Sequence, residues 1–88
     1  MVFVFDHLIK LANRIGNFFE ALPDREEGLA GIANHIQKFW EPRMRIAMLN
    51  FLEQQPDGQT SNIALSDIAL QAINQNKEQL TPKTFTAP

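Results

Sequence analysis

The sequence predicts an all-α fold: a small bundle of three main helices plus a shorter fourth, followed by a flexible C-terminal tail. Two observations carry this reading. Apolar residues recur at helical spacing through three long segments, and helix-starting or helix-stopping residues such as Pro23, Asp24, Pro42 and Ser66 stand between them. Residues 1–80 are expected to form a single helical domain and 81–88 a disordered tail.

On a wheel at about 100° per residue, Leu8, Leu11, Ala12, Ile15, Phe18, Phe19 and Leu22 share one arc. Asp6 is the expected N-cap of this first helix, and Pro23 stops it, because a residue preceding proline is driven out of the α region. The apolar start Met1–Phe5 is expected to be a short β-like end that docks on the core or on a partner. It is too short for a signal peptide, which needs an apolar run of about 7–15 residues, or for a membrane span of about 20. The chain is therefore expected in the cytoplasm.

The second helix opens at Asp24, with Glu27 three residues on at capping-box spacing. Leu29, Ile32, Ala33, Ile36, Phe39 and Trp40 form its expected buried stripe. Gly28 and Gly31 each cost about 1 kcal/mol relative to Ala inside a helix, and they share one side with His35. That edge admits the close approach of another backbone, or the glycines are simply tolerated.

Pro42 suits the first position of a third helix, where its missing N–H costs no hydrogen bond. Met44, Ala47, Met48, Phe51 and Leu52 give the inner stripe, while Ile46 and Leu49 fall on the opposite side. A helix apolar on two sides is buried on both or offers one to a partner. Pro56-Asp57-Gly58 then marks a turn. Ser66 is the expected cap of the fourth helix, with Leu65 and Leu70 as its hydrophobic staple and Ile68, Ala69, Ala72 and Ile73 as its apolar side.

Composition excludes much chemistry. The 88 residues contain no cysteine, so disulfides, thiolate zinc sites and cysteine-ligated iron–sulfur clusters are ruled out. The two histidines, His7 and His35, lack companions at ligand spacing. Ser61 and Ser66 lie in a loop and at a helix cap, and no phosphate-binding glycine loop is present. A net charge of −2 gives no general pull toward nucleic acid or anionic membranes. What remains is a slightly acidic module expected to act through a partner.

One stretch is denser than the rest. Asn34 to Arg45 packs two large aromatics, a proline, three cations and a histidine into twelve residues at the corner between two helices. Trp and Arg are the residues most enriched in binding hot spots. Arg43 and Arg45 also fall in the first turn of their helix, where the dipole disfavours cations, and a carboxylate-rich partner surface would offset that. The expected partner-binding set is His35, Lys38, Trp40, Arg43 and Arg45, with Ile46 and Leu49 as apolar neighbours. Trp40 is expected mainly in the core, and Arg43 and Arg45 at the interface.

The run Lys38-Phe39-Trp40-Glu41-Pro42-Arg43-Met44-Arg45, preceded by His35-Ile36, resembles the signature of the delta subunit of soluble, NAD-dependent, molybdenum-containing formate dehydrogenases. The resemblance extends upstream to Leu11–Gly16, Phe18-Phe19 and Gly31–Ala33, and downstream to Leu65-Ser66, Ala69-Leu70 and Ala72, about residues 7 to 74 in all. Glu41 stands where many members carry Asp. The resemblance implies a non-catalytic accessory subunit that helps assemble or stabilise the catalytic alpha subunit, and contacts the beta and gamma subunits at most through it. It implies that this chain binds no cofactor, while other subunits carry molybdopterin guanine dinucleotide, iron–sulfur clusters, FMN and NAD. A transient chaperone for cofactor insertion and a generic helical interaction module are the alternative readings.

Overall fold

Phe5 lies three and four residues before Leu8 and Ile9, so the apolar stripe of the first helix begins one turn upstream of Leu8, at the residue before Asp6. A computed structural model describes residues 3–82, with side chains from Phe5 onward. In it α1 spans Phe3–Glu20, α2 Arg25–Phe39, α3 Pro42–Gln54, α4 Asp67–Gln75 and the single turn α5 Lys77–Leu80. Among the described residues there is no strand, only an isolated antiparallel bridge between Gln59 and Ala64. The predicted all-α fold is the observed one, and α5 is an addition to it.

Two expectations at the N-terminus are corrected. Phe3–Phe5 is helical rather than β-like, because the Phe5 ring stacks on Phe51 of α3 at 5.1 Å and the helix must reach back to place it. Met1 and Val2 lie outside the described residues, as does the tail from Lys83. Asp6 is consequently not an N-cap but an interior residue of α1. Its carboxylate accepts hydrogen bonds from Thr60 Oγ1 at 3.1 Å and Asn62 Nδ2 at 3.2 Å, tying the loop after α3 to α1.

The other start signals act as their chemistry predicts. Asp24 caps α2, its carboxylate accepting from the Glu26 amide at 2.9 Å. Pro42 occupies the first turn of α3. Ser66 caps α4 by accepting from the Ala69 amide. In the predicted turn, Gly58 donates to the Gln55 carbonyl and adopts φ +71°, a conformation that L side chains avoid.

α1, α2 and α4 pack mutually, α3 lies against α1, and α5 closes against α2 and α4. The centre is aliphatic: Ile9, Ile32, Ile36, Ile73 and Leu80 are fully buried. Alanines 12, 33, 69 and 72 are equally inaccessible and let the helices approach closely. Gly16 does the same at the α1–α4 crossing, where a Cβ would stand 3.2 Å from Ile68. Asn13 of α1 locks this junction with both ends of its amide: Nδ2 donates to the Ala64 carbonyl at 2.9 Å, and Oδ1 accepts from the Ser66 amide at 2.8 Å.

Two measurements check this construction. Asn13→Ala leaves the Ser66 amide without its partner and should lower unfolding free energy by about 1–3 kcal/mol, read by urea denaturation. Leu80→Ala should cost about 2–5 kcal/mol if the four-residue α5 belongs to the core, and an effect near zero would detach that turn from the folding unit.

Candidate protein-interaction surface

The corner between α2 and α3 is made by two extended residues, Trp40 (ψ 136°) and Glu41 (ψ 153°), after which Pro42 restarts a helix. Trp40 donates its backbone N–H to the Ile36 carbonyl and buries its side chain to 6% exposure. It shares a tight seam with Arg45, Leu49 and Leu80. Within that seam Arg45 Nη1 donates to the Leu80 carbonyl at 3.3 Å, and its buried Nε has no hydrogen-bond partner.

The seven residues singled out from the sequence therefore point in three directions. Trp40, Arg45 and Leu49 turn inward to α5, and Ile46 is half-buried. Arg43 points outward on the opposite side, its side chain 90% exposed and 3.8 Å from the exposed Glu41 carboxylate, an ion pair of little energetic weight. It borders a shallow depression formed by Leu8, Met44 and Ala47. His35 and Lys38 belong to a third surface, on the outer side of α1 and α2.

That third surface holds the largest exposed apolar groups among the described residues. Phe18 is 70% and Phe39 64% exposed. Both were expected in buried stripes, and the structure corrects this. Phe18 and Phe19 are neighbours about 100° apart on the wheel, and at this end of α1 the packing against α2 takes only one of them. Phe19 turns inward over Gly31, where a Cβ would overlap its ring, and Phe18 is left outside. Phe39 stands at the last turn of α2, just before the backbone swings out to bury Trp40 instead.

The rings form a connected strip. Phe18 meets Phe19 edge-on at 5.0 Å, Phe19 lies 6.4 Å from the His35 imidazole, and His35 lies 4.7 Å from Phe39. Lys38 Nζ stands 5.7 Å over the Phe39 ring. Beside the strip an open groove of about 310 Å³ is lined by Arg14, Ile15, Phe18, Phe19 and His35. In the sequence nothing separates this pair from Leu8-Ile9, whose side chains are both buried, so the exposed ring is set by the tertiary contact with Gly31.

Such a surface offers apolar contact area bordered by cations. Among the described residues no three His, Cys, Asp or Glu side chains converge on a possible metal position. No helix of the described residues is long and apolar enough to cross a membrane. The described residues form a small bundle of five helices whose distinctive feature is an open aromatic face. Residues 7–73 match the family of the NADH-dependant formate dehydrogenase delta subunit FdsD, and the chain belongs to that family. No match was found among curated proteins or among solved structures. The matched region runs from the first turns of α1 nearly to the end of α4 and includes the whole aromatic strip, while α5 falls beyond it.

The two corner arginines should separate experimentally. Arg43→Glu, fully solvated, should shift stability by less than about 0.5 kcal/mol. Arg45→Glu sets a carboxylate against the Leu80 carbonyl and should cost about 1–3 kcal/mol in urea denaturation.

Proposed function

We propose that this chain is a non-catalytic accessory subunit of an NADH-dependent formate dehydrogenase, acting in the cytoplasm. It binds the molybdenum-containing catalytic alpha subunit and stabilises it or assists its assembly. Membership of the delta-subunit family over residues 7–73 carries the proposal. Composition supports it: with no cysteine and two histidines, the chain is poorly equipped for redox-centre ligation, and the redox cofactors fall to the other subunits. The exposed aromatic strip supplies the physical means, because rings of this size held near 65–70% exposure gain most when a partner covers them.

The stabilising action needs no chemistry. A subunit that binds only the folded form of its partner raises that partner's stability by RT ln(1 + [L]/Kd), about 2.7 kcal/mol at a hundredfold excess over Kd. The test is co-expression with the catalytic subunits, followed by gel filtration and mass measurement. A permanent subunit should co-elute with active enzyme at a fixed ratio, and its omission should lower the thermal midpoint of the alpha subunit. Presence only with cofactor-free alpha subunit would make it a maturation factor. Absence from both forms would overturn the proposal.

A further inference from the structure

The charges around the aromatic strip are unevenly distributed. The whole chain carries a net −2, yet residues 7–19 of α1 and 28–39 of α2 contain no Asp or Glu at all. Their charged residues are Lys10, Arg14 and Lys38, and the last two stand at the strip itself. Apart from Asp6, which bonds Thr60 and Asn62 at the other end of α1, the acids of these two helices and their turn, Glu20, Asp24, Glu26 and Glu27, gather where α1 joins α2. The middle of the strip is thus an apolar groove with a cationic border inside an acidic protein.

Neither cation on that border forms an ion pair among the described residues. Arg14 and Lys38 are exposed, and the ion pair found among the described residues is Arg43–Glu41, on another surface. His35 is held between two aromatic rings, Phe19 and Phe39. A second copy of this chain would be a poor occupant. An isologous contact through the same face sets Arg14 and Lys38 against the same cations of the partner copy, and like charges brought together across an interface are disfavoured.

We infer that the Phe18–Phe19–His35–Phe39 face with its groove docks an acidic amphipathic helix of the partner subunit. Apolar side chains of that helix enter the groove beside Ile15 and Phe18, while its carboxylates meet Arg14 and Lys38. A helix suits a groove between two helices because its own backbone is already hydrogen-bonded and only side chains need to match. The inference rests on the accessory-subunit reading and names the surface and the partner chemistry that the reading leaves open.

The test uses the full chain and a formate dehydrogenase complex prepared without it. Binding is measured at low and moderate salt for wild type, Phe18→Ser, Phe39→Ser and the Arg14→Glu/Lys38→Glu pair. Each Phe truncation should weaken binding about 10–100-fold, as hot-spot aromatics do, and the charge reversal should weaken it most at low salt, inverting the wild-type salt dependence. Because both rings are solvent-facing, helical content and thermal midpoint should stay near wild type, so a loss of binding reads the surface and not the fold. A photo-reactive phenylalanine analogue at position 18 or 39 should cross-link to a peptide with Asp or Glu and apolar residues at helical spacing.

Wild-type binding that survives all four substitutions overturns the docking face and leaves the accessory-subunit reading standing. Cross-links to a second copy of the chain, or to a basic peptide, overturn the inferred partner. A wild-type chain that fails to bind the complex overturns the accessory-subunit reading and the docking face together.

Discussion

A Cβ at position 28 would stand 2.9 Å from the backbone carbonyl of Phe19, so α1 and α2 can meet at this spacing only with glycine there. This is the constraint from which the exposed face follows. With the two backbones this close at the end of α1, the Phe19 ring folds over α2 and lies on Gly31, whose missing side chain gives it room. Phe18, one residue earlier, is turned away from the core by the helical rotation. His35, one turn after Gly31, then meets Phe19, and Phe39, one further turn on, meets His35. The helix-propensity cost of two glycines, about 1 kcal/mol each, is met by the burial this contact allows along Leu29, Ile32 and Ala33.

The other half of the molecule solves a different problem. α3 is apolar on two sides and cannot bury both against α1. The chain closes the second side with its own C-terminal turn, setting Leu80 against Leu49, Met48 and Trp40. Gln79 pins that turn to α2 by donating to Asn34 Oδ1 at 2.7 Å and Gln37 Oε1 at 2.8 Å. The cation that the α3 dipole disfavours at Arg45 has an answer here as well, since its guanidinium reaches the free Leu80 carbonyl at the end of α5. An external carboxylate is not needed to explain that arginine, whereas the exposed Arg43 has only a solvated contact with Glu41.

The features legible in the sequence are those in which one residue's chemistry decides the outcome. Asp24 and Ser66 cap because a short side-chain oxygen can reach an amide of the first turn, and Pro42 opens α3 because its ring fits there and nowhere deeper in a helix. The aliphatic core follows from period. The failures came where two local choices competed. Asp6 is a good cap, but Phe5 carries the apolar stripe past it. Phe39 and Trp40 compete for one place at the end of α2, and the larger ring takes it because the backbone becomes extended at Trp40. The short α5 carries too few residues for periodicity, and only the tertiary need to cover Leu49 defines it. The corner motif was conspicuous in sequence, yet the fold sends its residues in three directions, because a turn between helices changes direction faster than a linear motif shows.

Exposure of Phe18 and Phe39 is therefore not a default of a small protein with more apolar residues than it can bury. The same chain buries Trp40, Phe51 and Leu80 to 6% or less, and it uses alanine at four inaccessible core positions. Full burial of a Phe stabilises by roughly 1.5–3 kcal/mol, a large fraction of what a domain of this size has in total. A polar residue at position 18 or 39 would remove the aggregation hazard of an exposed ring without disturbing any buried contact. Two rings kept outside a well-filled core, joined through Phe19 and the His35 imidazole and flanked by cations with no ion pair among the described residues, are locally inconsistent with an isolated fold. Such inconsistencies concentrate where a surface serves something other than its own stability. In this chain they coincide with two facing acid-free helix segments, 7–19 and 28–39, in an acidic protein. The two departures have a common physical resolution in an apolar, negatively charged counterpart, which would cover the rings and neutralise the cations in a single contact.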